Sequence, residues 1–297
     1  MHQPRKYPSK LLLTGEYTVL LGYPAIAIPW PGHYAAWKDE GALPDATLQK
    51  FHQFISNHPE LKNHFLLDEF YSYIQNGGYL ESNIPFGYGL GSSGSFCAAI
   101  FDRFGIADTK ADCADEETVF AILKKMEHFF HGQSSGLDPM VSYYNCAVQI
   151  FNGKISFPTF NGQELLSQHR LYLVDSKLKR DTQHLVSCFK EMIKDPAYLT
   201  RIKEEIVPVN NAIIQALLQN DFSMLDANWI KLSQSCVEIF HNMIPETFND
   251  FWRAGIASHS YYCKLCGAGG GGLFLAKVMD EEHFMKQIKY FGIEVFM

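Results

Sequence analysis

Pro85-Phe86-Gly87-Tyr88-Gly89-Leu90-Gly91-Ser92-Ser93-Gly94-Ser95-Phe96 is the stretch on which the reading of this chain turns. Four glycines surround two serines, and Phe96, Cys97, Ile100, Phe101 and Phe104 follow at helical spacing. Glycine allows a tight turn and close approach of backbone to a ligand. A helix that opens directly after such a turn aims unpaired N–H groups and the positive end of its dipole at whatever sits there. An anion, most often phosphate, suits that position. Ser92 and Ser93 add hydroxyls for phosphate oxygens or a metal. The stretch therefore reads as a phosphate cradle.

Several nucleotide folds use glycines this way, and spacing separates them. Gly89-Leu90-Gly91-Ser92-Ser93-Gly94 fits GxGxxG, but a dinucleotide fold needs a strand, the glycines, a helix and then a second strand ending in an acid. Here Pro85 to Tyr88 intervenes, and a polar stretch (residues 108–117) and another helix follow. A Walker loop fails because no Lys-Ser/Thr follows the glycines. Protein kinases are excluded because His-Arg-Asp and Asp-Phe-Gly are both absent.

Upstream, Lys10 to Leu13 and Ala25 to Trp30 read as two strands, with turn signals at Gly15 and Gly22-Tyr23-Pro24. Lys10, Glu16 and Tyr17 are polar groups in an otherwise apolar hairpin, where a surface ion pair is the plainest account. Pro31-Gly32 and residues 41–45 are loop signals, and apolar periodicity predicts two helices, from Leu48 to Ile55 and from Phe65 to Ile74. His33, His52, His58 and His64 fall in this region without metal-ligand spacing.

Downstream, residues 116–130 predict an amphipathic helix, with acids at its start and Glu127 at the edge of its apolar face. A carboxylate there is either a snorkelling surface group or the partner of an interior cation. A second Gly/Ser loop, His131 to Pro139, ends at Asp138 and leads into an apolar segment. Ala147 to Phe151 and Lys154 to Phe157, joined by Asn152-Gly153, predict a hairpin. A compositional break over Phe157 to His169 marks a domain boundary, giving domains of residues 1–165 and 166–297. The second opens with a strand, Leu171 to Val174, and a loop carrying Lys177, Lys179 and Arg180. A helix follows with Thr182 as its expected N-cap, then long helical patterns at 198–219 and 222–243. Lys264 to Val278 joins a five-glycine turn (Gly267 to Gly272) to a buried strand. Since flexible tips rarely lead straight into a core strand, close backbone approach to a ligand explains these glycines better. A helix at 281–291 and a strand, Ile293 to Met297, complete the chain.

Composition limits the function classes. The 297 residues, 47% hydrophobic and 19% charged, suit a globular protein with a sizeable core. A net charge of −7 without a Lys/Arg block argues against nucleic acid. No run approaches the roughly 20 apolar residues that span a bilayer, and no apolar leader follows the N-terminus. The expected setting is cytoplasmic, with no membrane partner. Seven scattered cysteines suit free thiols, and Cys263-Lys264-Leu265-Cys266, lacking a second pair, reads as two buried thiols rather than a metal site.

Taken together, the three glycine loops are more specific than any one. Pro85 followed by Gly-x-Gly-Leu-Gly-Ser-Ser resembles the phosphate-binding motif of the GHMP kinases (galactokinase, homoserine kinase, mevalonate kinase, phosphomevalonate kinase). Pro8 to Ala27 resembles that family's first motif and Lys264 to Gly272 its third, in the right order along the chain. Within the family, Glu127 followed by His-Gly-x-x-Ser-Gly-x-Asp ending at Asp138 is most similar to mevalonate kinases. Tyr17, where those enzymes usually carry His, makes Glu16-Tyr17 more like phosphomevalonate kinases.

The resemblance implies an α+β, two-domain GHMP kinase fold, with an N-terminal ribosomal-protein-like domain and a C-terminal ferredoxin-like domain. It implies ATP and Mg2+ as cofactors. Lys10 and Asp138 would be catalytic, with Lys10 beside the nucleophilic hydroxyl and Asp138 orienting or deprotonating it. Glu16, Tyr17, Ser135, Thr182 and Gly269 would bind the acceptor. Pro85, Gly87, Gly89, Leu90, Gly91, Ser92, Ser93 and Gly94 would wrap the ATP phosphates, and Ser93 and Glu127 would hold Mg2+. This donor set also suits the chemistry: phosphoryl transfer requires positioning, charge neutralisation and a group to receive the hydroxyl proton, and Mg2+ takes one or two protein oxygens plus phosphate and water. The implied reaction is ATP-dependent phosphorylation of a small-molecule alcohol, mevalonate to 5-phosphomevalonate in isoprenoid precursor synthesis. Phosphomevalonate kinase, with Lys177, Lys179 and Arg180 as a second phosphate site, and a non-catalytic ligand sensor are the alternatives; a homodimer is compatible with the family.

Overall fold

The computed structural model describes residues 4–296, apart from 40, 42–43, 111–114, 161, 163–164, 167–168 and 180. Arg180 and Met297 thus lie outside the described residues. β1 (Lys6–Thr14) and β2 (Ala25–Lys38) form an antiparallel pair. Period-2 alternation sends their side chains to opposite faces, and here both faces are covered. Leu11, Leu13, Ile26 and Ile28 enter a core shared with the C-terminal half, whereas Leu12, Ala25 and Ala27 pack with the N-terminal helices. The pair is therefore the partition between two cores.

The first sheet runs β1-β2-β4-β5, with β4 (Val148–Phe151), β5 (Lys154–Ser156), and β3 (Tyr79–Ser82) pairing the far end of β2. Asn152 and Gly153 both take positive φ (51° and 74°), as the tight hairpin turn requires. Among the described residues this half carries α1 (Ala46–Asn57), α2 (Pro59–Lys62), α3 (Leu67–Gln75), α4 (Ser92–Phe104), α5 (Glu116–His131) and α6 (Leu137–Tyr144). Aromatic contacts such as Phe51 with Phe96 and Phe129 join α1 to α4 and α5.

The second sheet is antiparallel in the order β7-β8-β6-β9, from β6 (Leu171–Asp175), β7 (Tyr261–Leu265), β8 (Leu273–Val278) and β9 (Glu294–Phe296). The first and third strands of this half lie at its centre, the ferredoxin-like order. Five helices separate β6 from β7: α7 (Thr182–Met192), α8 (Pro196–Arg201), α9 (Val207–Gln219), α10 (Phe222–Ile239) and α11 (Glu246–Ser258). α12 (Glu281–Phe291) precedes β9. The architecture is mixed α+β, as the sequence implied.

Four expectations needed correction. Pro31-Gly32 does not end a strand: β2 continues through it, because the register jumps from Pro8↔Tyr34 to Ser9↔Trp30 and residues 31–33 bulge out of the ladder. Thr182 is not the N-cap of its helix; Asp181 is, accepting from the His184 N–H, and Thr182 is the first helical residue. The expected helix over 198–219 is interrupted by a wider π-type turn at Ile202–Ile206, just before Pro208, which has no N–H to continue the regular ladder. The 222–243 pattern ends as an α-helix at Ile239.

Candidate active site

α4 starts where Gly91 takes a left-handed conformation, φ 71°. Its first-turn N–H groups, those of Ser92, Ser93 and Gly94, have no intrahelical acceptors, and no side chain caps them. A side chain at Gly91 would sit 2.7 Å from Lys10 Cγ and 3.1 Å from Asp138 Oδ2; one at Gly94 would sit 2.7 Å from the Asp138 carbonyl carbon. These two glycines let the cradle close directly onto the strand that carries Lys10 and the helix that carries Asp138. The Lys10 N–H also donates to the Leu90 carbonyl at 2.8 Å, fixing loop to strand.

Lys10 Nζ lies 3.1 Å from Asp138 Oδ1. Lys10 is buried, while Asp138 keeps partial exposure. Asp138 occupies the first turn of α6, whose N-cap, Gly136, has φ 80°. Glu127, near the end of α5, is only 3% exposed. Ser93 Oγ donates to Glu127 Oε1 at 3.1 Å, and Ser134 Oγ donates to Oε2. Burial, then repulsion from Asp138, pushes the Glu127 carboxyl up to about 7, against the opposing serine hydrogen bonds and Lys10.

A buried carboxylate held by two hydroxyls gains from a cation. Ser93 and Glu127 together present hard oxygen donors, one hydroxyl and one carboxylate, which suits Mg2+ completed by phosphate oxygens and water. The residues thus fit the metal.

A cleft of about 1200 Å³ opens over these groups. Of the residues expected at the site, Lys10, Gly87, Gly89, Gly91, Ser92, Ser93, Glu127, Ser135, Asp138 and Thr182 line it. Pro85, Leu90 and Gly94 are not among its lining residues: Leu90 and Gly94 are buried behind the cradle, and Pro85 is half-buried at its entry. Gly269 also lies behind the wall, against the Met243 carbonyl, while its neighbours Gly267 and Ala268 reach the cleft.

Glu16 and Tyr17 are likewise absent from the lining. Glu16 pairs with Lys264 in the interior, and Lys264 Nζ donates as well to the carbonyls of Leu12 (3.1 Å) and Leu265 (2.6 Å). Tyr17 OH donates to the Ala268 carbonyl at 2.6 Å, and its ring lies 4.6 Å from Phe189. Both therefore brace the third glycine loop. Lys177 pairs with Glu294 at 2.5 Å, and neither it nor Lys179 lines the cleft. Cys263 and Cys266 are both buried, and no cluster of three or more His, Cys, Asp or Glu suited to a metal occurs among the described residues.

Sequence reasoning did not single out Lys124, Gln133, Ser134 or Lys190. Lys124 precedes Glu127 by one helical turn and lines the cleft. Thr182, Val186 and Lys190 form a stripe of α7 at i, i+4, i+8, beside the stripe of the buried Leu185 and Phe189. That spacing was the available signal for Lys190; nothing local marked which face would meet a cleft.

Residues 61–146 match a family model described as the GHMP kinases N terminal domain. Mevalonate kinase of Archaeoglobus fulgidus is 26% identical over 284 residues, 93% of this chain and 92% of that protein. Mevalonate kinase of Dictyostelium discoideum is 24% identical over 235 residues, 68% of this chain but 57% of the relative, so the match spans little more than half of that longer protein. Among solved structures, phosphomevalonate kinase of Streptococcus pneumoniae in complex with phosphomevalonate and AMPPNP superposes with a TM-score of 0.66, covering 100% of this chain and 99% of its own, at 16% identity. At that identity the likeness is one of fold.

Proposed function

We propose that this chain, which carries a GHMP kinase N-terminal domain at residues 61–146 and the GHMP kinase fold, is an ATP-dependent kinase of a small alcohol, with mevalonate as acceptor and 5-phosphomevalonate as product. The observation that carries the proposal is the meeting, around one cleft, of the N-terminus of α4, the Lys10–Asp138 pair at 3.1 Å and the buried Ser93–Glu127 pair. Curated relatives along most of the chain are mevalonate kinases.

In this mechanism the backbone of Gly87 to Ser93 wraps the triphosphate, and the α4 N-terminus stabilises its charge. Ser93 and Glu127 would hold Mg2+, which would supply neutralisation of the phosphate oxygens. The acceptor hydroxyl sits against Lys10 and Asp138. Lys10 lowers the pKa of that hydroxyl, and Asp138 orients it and accepts its proton as the oxygen bonds to the γ-phosphorus and ADP leaves. The work of the protein is positioning and electrostatics, not covalent catalysis.

A second reading, phosphorylation of phosphomevalonate, draws on the resemblance of Glu16-Tyr17 to the phosphomevalonate kinases. Lys177, part of the basic site that reading would draw on, is already paired with Glu294. A sensor without turnover has no use for a proton acceptor beside the lysine. An ADP-release assay with mevalonate, phosphomevalonate, galactose and homoserine tests all three. Preferred turnover of mevalonate is the expected result; preference for phosphomevalonate selects the second reading, and no turnover with any acceptor overturns the kinase in favour of a sensor.

A further inference from the structure

Three lysines line the cleft, and their surroundings differ. Lys10 is committed to Asp138. Lys124 lies one helical turn from Glu127, with its stem against Gly136, on the wall that carries the candidate metal ligands. Lys190 is on the wall supplied by the C-terminal half. Its Nζ donates to Gln133 Oε1 at 3.3 Å, and among the described residues it has no carboxylate partner. Asp181, the acid on the same helix that also lines the cleft, is engaged by the His184 N–H as the N-cap of α7.

The helix is well fixed where Lys190 leaves it. The adjacent Phe189 is fully buried, with its ring against Tyr17. Gln133, in turn, belongs to the short loop from α5 to α6 that ends near Asp138. An ammonium in this place is therefore held across the loop from the expected reaction centre, on a long side chain whose present acceptor is a neutral amide. Exchange of that amide oxygen for an anionic oxygen gives a charge-assisted hydrogen bond, roughly twice as strong as a neutral one.

We propose that Lys190 is a specificity-determining residue that binds an anionic group of the acceptor, remote from the hydroxyl that is phosphorylated, and so selects acidic alcohols over neutral ones. This proposal rests on the kinase reading above and deepens it. The anionic group is a carboxylate or a phosphate. Thr182 and Ser187, which line the cleft on the same helix, supply hydroxyls for its remaining oxygens. The triphosphate has its own site at the α4 N-terminus, so loss of Lys190 affects the acceptor and not ATP.

The experiment compares wild type, Lys190→Ala and Lys190→Arg with mevalonate (one carboxylate), phosphomevalonate (carboxylate and phosphate), mevalonate methyl ester and galactose. Lys190 is exposed, so both variants are expected to fold. For an acidic acceptor, KM is expected to rise about tenfold or more in Lys190→Ala, with the KM for ATP unchanged and Arg restoring much of the loss; the methyl ester should show a smaller change if the carboxylate is the group held. A larger effect on phosphomevalonate than on mevalonate identifies phosphate instead. Unchanged KM for every acidic acceptor overturns the proposal while leaving the kinase reading intact. Turnover of another acidic alcohol but not mevalonate, with the Lys190 effect present, sinks the mevalonate reading and keeps this one. Turnover of galactose alone overturns both. If no acceptor is turned over, calorimetric titration of the same acids into the wild type with Mg2+ and a non-hydrolysable ATP analogue decides: binding weakened by Lys190→Ala supports the proposal, and no binding overturns it.

Discussion

Lys264 and Glu16, 248 positions apart, form one buried ion pair between the third glycine loop's strand and the turn after β1. Lys264 is 1% exposed and has three acceptors, the Glu16 carboxylate and the carbonyls of Leu12 and Leu265. The pair thus anchors the loop of Gly267 and Ala268, which line the cleft, to the strand that carries Lys10.

Replacing Lys264 by Met leaves an uncompensated buried carboxylate, a change that costs about 3–5 kcal/mol. The expected result is a strongly lowered denaturant midpoint. The double variant Glu16→Gln/Lys264→Met, which removes both charges, should recover a substantial part of the loss. A double variant as unstable as the single one would show that packing, not charge, governs the site.

Gly91 is constrained twice, by its φ of 71° and by Lys10 and Asp138 within about a side-chain atom of it. Gly91→Ala incurs about 1–2 kcal/mol for the left-handed conformation alone. Its methyl also displaces Lys10, and misplacement by 1 Å costs on the order of 10²-fold in rate. The expected variant is folded, with modestly reduced thermal stability and disproportionately low kcat. Unchanged kcat would show that the cradle does not set the position of Lys10.

Asp138→Asn keeps the shape of the side chain and removes both the charge opposite Lys10 and the proton acceptor. The expected loss in kcat is about 10²–10⁴-fold, with Mg-ATP affinity retained or raised, since the cradle is untouched and Glu127 loses the repulsion of Asp138. Equilibrium binding of a fluorescent ATP analogue beside steady-state turnover separates these quantities. Full turnover in this variant would remove Asp138 from the mechanism.

How much of this was legible depended on range along the chain. The helix at Glu281–Phe291 and the Asn152-Gly153 hairpin are written in local periodicity and turn chemistry, and the structure has both. β3, Tyr79–Ser82, carries no alternation and exists because it lies beside β2. The strand through Pro31-Gly32 needed knowledge of its partner's register, which no local signal contains. The cleft side chains divide in the same way. Glycine loops mark themselves by composition, so the cradle could be found, but Lys190 and Lys264 look like any other lysine until the fold pairs one with Gln133 and the other with Glu16. Resemblance assigned Glu16 to the acceptor; the chain uses it in the interior, where a lysine 248 residues away waits for it.

Glu127 gives the ligand-free protein a pH dependence of known sign. Its carboxyl lies at about 7 when folded, against an ordinary 4.5, owing to burial first and then Asp138. Between these values the native state holds a proton that the unfolded chain has released, so through this group stability falls as pH rises from about 4.5 to 7. Mg2+ with nucleotide takes the ionised form and reverses the loss, and binding should release a proton. The thermal shift produced by Mg-ADP should therefore increase with pH up to about 7 and flatten above it. In Glu127→Gln the increase should disappear, together with most of the Mg2+ contribution, while the ligand-free protein should lose less stability between pH 5 and 8 than the wild type. An unaltered pH dependence in that variant would show that another group carries the proton, and that Glu127 is not where the metal binds.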